Sequence, residues 1–204
     1  MTRLLITGFG PFPGMPSNPS MRLALHAGAI RRMRFAGVTR IVRLLPTTWA
    51  MLDDVPGLLS ETAPDVVLMF GVAGKRRRVT PELQALNHQS ALKADADRRF
   101  SGFRSRAMGM PPALRSQLDA VRLQVAIQAV HVPSQVSRTA GDYLCNALSW
   151  QVIASGIPAI FVHVPRPRRM LRRKGHEKRP RPTMRQLERA SEAALGFVVK
   201  AVPR

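Results

Sequence analysis

At 204 residues, 45% hydrophobic and 22% charged, the chain has the length and balance of a soluble globular protein that can bury its own core, which excludes a disordered polymer. Charge is lopsided: 32 Lys and Arg against 12 Asp and Glu leave a formal +20, enough to attract polyanions non-specifically. One cysteine, no run near about 18 apolar residues, and an N-terminal apolar stretch broken by Gly and Pro argue against a disulfide scaffold, a membrane span and a secretory leader, and point to a cytoplasmic address.

Strand and helix patterns alternate along the chain. Arg3 to Thr7 (RLLIT) reads as a buried first strand, and Asn18 to Ala36 shows helical spacing with Asn18 and Pro19 placed as N-cap and first-turn proline. Val38 to Leu45 is β-rich, Trp49 to Thr62 helical, and Asp65 to Phe70 (DVVLMF) a second apolar strand. From Lys75 to Asn87 the alternation weakens, and Pro81 predicts an edge strand or bend. Gln89 to Pro112 reads as a long loop, Ala113 to Ala129 as a helix, Ser134 to Arg138 as a short strand, and Tyr143 to Ala154 as a helix. Pro158 to Val164 (PAIFVHV) is a strand, and Met184 to Val199 closes the chain as an amphipathic helix. Between these last two, Arg166 to Pro182 carries nine Lys or Arg against one Glu and reads as an exposed basic loop. It lacks interleaved aromatics, so no specific nucleic-acid partner is expected. This order predicts a single three-layer α/β/α domain over 1–204, with a central mixed, mainly parallel sheet.

Three places invite a chemical reading. Gly8, Gly10 and Gly14 follow the first strand, but GFGPFPG departs from G-x-G-x-x-G, and prolines stand where backbone N–H groups would face a pyrophosphate. A packing turn is the expectation there, and with no Cys/His cluster either, no metal or organic cofactor is implied. Cys145 follows the turn Thr139 to Asp142 and opens an apolar helix, where unpaired N–H groups and the macrodipole favour a thiolate; a small buried hydrophobe is the alternative. Of five histidines (His26, His88, His131, His163 and His176), His163 ends an apolar strand ahead of a proline-rich loop, the usual location of a functional group in an open α/β sheet. A core histidine bonded to a carbonyl would also fit that pattern.

Several segments, in one order, resemble the pyroglutamyl peptidase I (pyrrolidone carboxyl peptidase) family. They are the opening ITGFGPFPGMPSNPS, GVAGKRRRVTPELQALN, TAGDYLCNAL, FVHVP and the RPTM before the last helix. The resemblance implies a thiol peptidase that removes pyroglutamyl residues from peptide N-termini, with Cys145 as nucleophile, His163 as base and Glu82 as the orienting carboxylate. It further implies that Phe9 and Phe12 sandwich the lactam ring, that Asn18 bonds its amide, that Val72, Tyr143 and Leu144 line the rest of the pocket, and that the assembly is a homotetramer. The chain departs from the family after Asn87. It reads HQSALKADADRRFSGF there, placing Leu92 where the family has an arginine and Lys93 at the neighbouring pocket position; Val72 stands where the family has a glutamine. Two other readings use the same residues: a hydrolase of another small amide or acyl substrate on the same triad, and a non-catalytic basic protein that binds polyanions.

Overall fold

A computed structural model describes residues 1–102, 107–168 and 181–201. In chain order the elements are β1 (Thr2–Phe9), α1 (Pro19–Ala29), β2 (Val38–Leu45), α2 (Val55–Thr62), β3 (Val66–Val72), β4 (Thr80–Pro81), β5 (Gln84–Leu86), β6 (Ala113–Arg115), α3 (Ala120–Ala129), α4 (Leu144–Ala154), β7 (Ala159–Val164) and α5 (Met184–Ala201). Five strands form one sheet in the order β2-β1-β3-β7-β4, parallel except for β4, which runs antiparallel to β7. β5 and β6 pair separately.

The apolar runs of β1, β3 and β7 are buried on both faces, as crossover helices on both sides of a parallel sheet require. Leu4, Ile6, Leu68 and Ile160 pack with α1, α3 and α5 on one face. Leu5, Val67, Met69 and Phe161 pack with α2 and α4 on the other. The three-layer α/β/α architecture is therefore the one the sequence predicts. β1 connects outward to β2 on one side and the chain then crosses back to β3, so the order reverses between β1 and β3; a crevice opens beyond the strand C-termini at such a switch point.

Several element boundaries differ from expectation. The first helix stops at Ala29 rather than Ala36, with Ile30 extended and only a 3₁₀ turn at Met33–Phe35, because Met33, counted as apolar periodicity, faces solvent. Trp49 to Thr62 divides into a 3₁₀ turn at Ala50–Asp53 and α2, which begins next to Pro56. Ala113 to Ala129 also divides: Ala113–Arg115 pairs with β5, and α3 starts only after Asp119, whose carboxylate accepts the N–H groups of Val121 and Arg122. Ser134 to Arg138 makes bridges, Val79 to Ser134 and Glu82 to Ser137, rather than a continuous strand. Pro81 lies in an edge strand as predicted. Gln89 to Pro112 contains no helix or strand among its described residues, and most of the predicted basic loop at 166–182 lies outside the described residues.

Candidate active site

β3 and β7 end side by side, with Gly71 in register with His163. Paired residues of parallel strands project to the same face, about 4.8 Å apart. On that face α4 crosses, and the Sγ of Cys145 lies 2.8 Å from where a Cβ on Gly71 would stand. Glycine is required there: any side chain would crowd the sulfur out of its position. Thiol and imidazole thus lie over the same face of the sheet, at the ends of neighbouring strands.

β4 brings the carboxylate. Thr80 pairs with His163 and Pro81 with Val162, and the N–H of Glu82 donates to the Phe161 carbonyl at 2.9 Å. Glu82, 1% exposed, then reaches the Nδ1 of His163 at 2.7 Å, and His163 is itself 4% exposed. With Glu82 ionised, Nδ1–H donates and Nε2 is left as the acceptor for the thiol proton. Phe161 supports the imidazole, ring centroids 4.8 Å apart.

A fourth side chain, not singled out from the sequence, completes the cluster. Arg76 donates through Nη1 to the same Glu82 oxygen at 2.5 Å and through Nη2 to the Thr139 carbonyl at 2.8 Å. It therefore ties the carboxylate to the turn that leads into α4. No spacing rule pairs residues 76 and 82 across a proline, so only the folded chain reveals this contact.

Electrostatics set the resting protonation state. Burial pushes the Cys145 thiol up to about 12, with Glu82 adding to the effect and Arg76 opposing it. Burial lowers His163 below its ordinary value, against the opposing pull of its bond to Glu82. Thiol and imidazole are thus both uncharged at neutral pH: burial outweighs the helix start that was expected to favour a thiolate. Cys145 occupies the second position of α4, whose N-cap, Tyr143, supplies no side-chain bond, so first-turn N–H groups remain available for a developing anion.

Beside the start of α4 is a cavity of about 420 Å³ lined by Phe12, Pro13, Tyr143 and residues 93–96. Of the six pocket residues suggested by resemblance, Phe12 and Tyr143 line it. Phe9 and Leu144 are buried in the α4-side core, and Val72 stands half-buried at the end of β3. Asn18, 1% exposed, caps α1 by accepting the Ser20 N–H at 3.0 Å and donates to the Gly10 carbonyl at 2.9 Å, so it holds the loop between β1 and α1 in shape.

The segment that departs from the family forms the opposite wall. Tyr143 donates to the Ala94 carbonyl at 3.0 Å, and Trp49 Nε1 donates to the Lys93 carbonyl at 3.2 Å. Asp95 is buried; it accepts the Trp49 N–H at 2.8 Å and the N–H groups of Asp97 and Arg99 at 2.9 and 2.8 Å. Lys93 pairs with Asp142, whereas Leu92 is 87% exposed. Asn146, fully buried, bonds Leu86 and the His88 carbonyl, which pins the start of this segment to α4. Among the described residues no group of three or more His, Cys, Asp or Glu gathers to hold a metal ion, and no helix is long and apolar enough to cross a membrane.

Similarity to known proteins extends over nearly the whole chain. A family model for pyroglutamyl peptidase matches residues 2–195. A pyrrolidone-carboxylate peptidase of Thermococcus onnurineus is 33% identical over 208 aligned positions, covering 98% of this chain and 94% of the relative. One from Levilactobacillus brevis is 34% identical over 188, covering 85% and 87%. In fold, the chain superposes on Bacillus amyloliquefaciens pyroglutamyl peptidase I with a TM-score of 0.84 at 24% identity, covering 98% of each chain. The pyrrolidone carboxyl peptidase of Thermococcus litoralis gives 0.86 at 24%, covering 98% of this chain and 94% of the other. The chain belongs to the pyroglutamyl peptidase family.

Proposed function

We propose that this protein is a cysteine peptidase that removes pyroglutamyl residues from peptide N-termini. The observation that carries this reading is the Glu82–His163 bond of 2.7 Å, on the sheet face where Cys145 meets Gly71. The thiol proton passes to Nε2 of His163 while Sγ bonds the pyroglutamyl carbonyl carbon, and Glu82 stabilises the imidazolium. The oxyanion takes N–H bonds from the first turn of α4. Collapse of the tetrahedral adduct breaks the C–N bond, and the imidazolium proton goes to the leaving amine. Water, deprotonated by His163, then releases pyroglutamate from the thioester and restores the thiol.

Phe12 and Tyr143 give the flat lactam an apolar slot. The second amide hydrogen of Asn18, beside the one given to Gly10, is the remaining polar contact, and Phe9, Val72 and Leu144 shape the walls behind. Arg76 holds the Glu82 carboxyl group in place beside His163. We further read the chain as one domain over 1–204, cytoplasmic because its lone cysteine has no structural disulfide to form, and homotetrameric by family resemblance; light scattering measures the last point. A fluorogenic pyroglutamyl amide tests the activity. The native chain hydrolyses it, and Cys145→Ala abolishes the hydrolysis. Equal rates for both proteins would refute the assignment.

A further inference from the structure

Strand order gives the site a direction. The slot with Phe12 lies beyond β1, Cys145 lies over the end of β3, His163 ends β7, and Glu82 follows β4. Since the imidazolium must hand its proton to the leaving amine, the peptide beyond the scissile bond runs over the β7 and β4 side. The three chain segments that supply the reacting groups on that side all continue into exposed cations. The turn after β3 carries Lys75 and leads to Arg76. The turn before α4 carries Arg138, and the chain two residues past His163 begins Pro165-Arg166-Pro167-Arg168.

These segments touch: the Nε of Arg166 is 3.2 Å from where a Cβ on Gly74 would stand, and Arg76 bonds the Thr139 carbonyl. Some cations elsewhere on the surface, Arg22, Arg32, Arg43 and Arg122, have carboxylate partners, while others such as Arg115 and Arg185 lie outside the three segments. Lys75, Arg138, Arg166 and Arg168 form no ion pair with any described residue. Segments 73–79, 137–141 and 165–168 contain no acidic residue, and the nearby Glu82 and Asp142 are committed to Arg76 with His163 and to Lys93.

From this arrangement, and resting on the peptidase reading above, we propose that the leaving-group side is a recognition surface for acidic peptides, so that the preferred substrates carry Asp or Glu in the residues after the pyroglutamyl group. A mouth lined by one sign of charge raises the encounter rate of oppositely charged substrates by about 10- to 1,000-fold. Salt removes such an advantage, because screening at about 0.15 M acts within roughly 8 Å. The acidic tail gains nothing in the lactam slot itself, so the preference belongs in kcat/KM rather than kcat.

The test compares pyroglutamyl peptides of equal length whose following residues are Ala only or Ala with two Asp, at low and at high ionic strength, with the full chain. The acidic peptide should be favoured at least about 10-fold in kcat/KM at low salt, and the ratio should fall toward one at high salt. Arg138→Glu combined with Arg166→Glu should also drive the ratio toward one or below. A ratio of one in the native chain, with both peptides cleaved, overturns the proposal and leaves the peptidase reading intact. A ratio of one together with inhibition by duplex DNA overturns it equally and makes the surface a nucleic-acid site. Cleavage of neither peptide, nor of the fluorogenic amide, sinks both readings.

Discussion

Replacing Gly71 with alanine adds one methyl group at the point where sheet and nucleophile touch. The added Cβ would stand 2.6 Å from Phe161 Cζ and 2.8 Å from Cys145 Sγ, whereas unstrained contact needs about 3.5–4.0 Å. Sulfur or ring must therefore retreat by about 1 Å. Neither can do so freely, because Phe161 is 1% exposed and α4 is packed along its length. Overpacking of this size destabilises by about 1–3 kcal/mol, which leaves a folded protein. Misplacing a reacting atom by about 1 Å costs up to 10²-fold in rate. Gly71→Ala should thus remain folded by circular dichroism, melt at a lower temperature and lose about 100-fold in kcat on a pyroglutamyl amide. Retention of full kcat would refute the placement of the sulfur against the end of β3.

Three further outcomes follow from the same geometry. On this route activity requires uncharged His163, and burial lowers its pKa while pushing the thiol up to about 12, so kcat/KM should rise through a single limb below pH 6.5 with no alkaline limb at moderately basic pH; an alkaline limb there would mean a resting thiolate–imidazolium pair instead. Arg76 opposes the imidazolium, so Arg76→Met should move that acid limb to higher pH while Arg76→Lys largely restores it; a lower melting temperature with an unmoved limb would reduce Arg76 to scaffolding. Removing the phenol in Tyr143→Phe loses its bond to the Ala94 carbonyl and should raise KM for the pyroglutamyl amide with little change in kcat, as read from Michaelis curves; an unchanged KM would detach residues 93–96 from substrate binding.

Local sequence reveals whatever burial writes into it. The runs around Leu5, Leu68 and Phe161 are apolar on both faces because helices cover both sides, and that pattern needs no tertiary knowledge. Cys145 and His163 likewise stand at element ends where an open sheet presents groups. Ala113–Arg115 merges with the helix that follows it in sequence because a three-residue strand carries too few positions to distinguish a period of 2 from 3.6. The end of the first helix is obscured for a related reason: Met33 supplies an apolar period and then faces water. Arg76 is invisible in sequence because its contacts, with Glu82 and Thr139, join segments that only the fold brings together. Asp95 escapes in the same way: a carboxylate spent on three backbone N–H groups looks in sequence like any loop aspartate.

Covalent chemistry at Cys145 can be trapped by quenching the chain in acid during turnover of a pyroglutamyl ester and measuring the mass of its peptides. One pyroglutamyl group should be attached to the peptide that contains Cys145 and be absent after alkylation of the thiol. Turnover with the group on another residue, or with none trapped and the alkylated chain equally active, would contradict it.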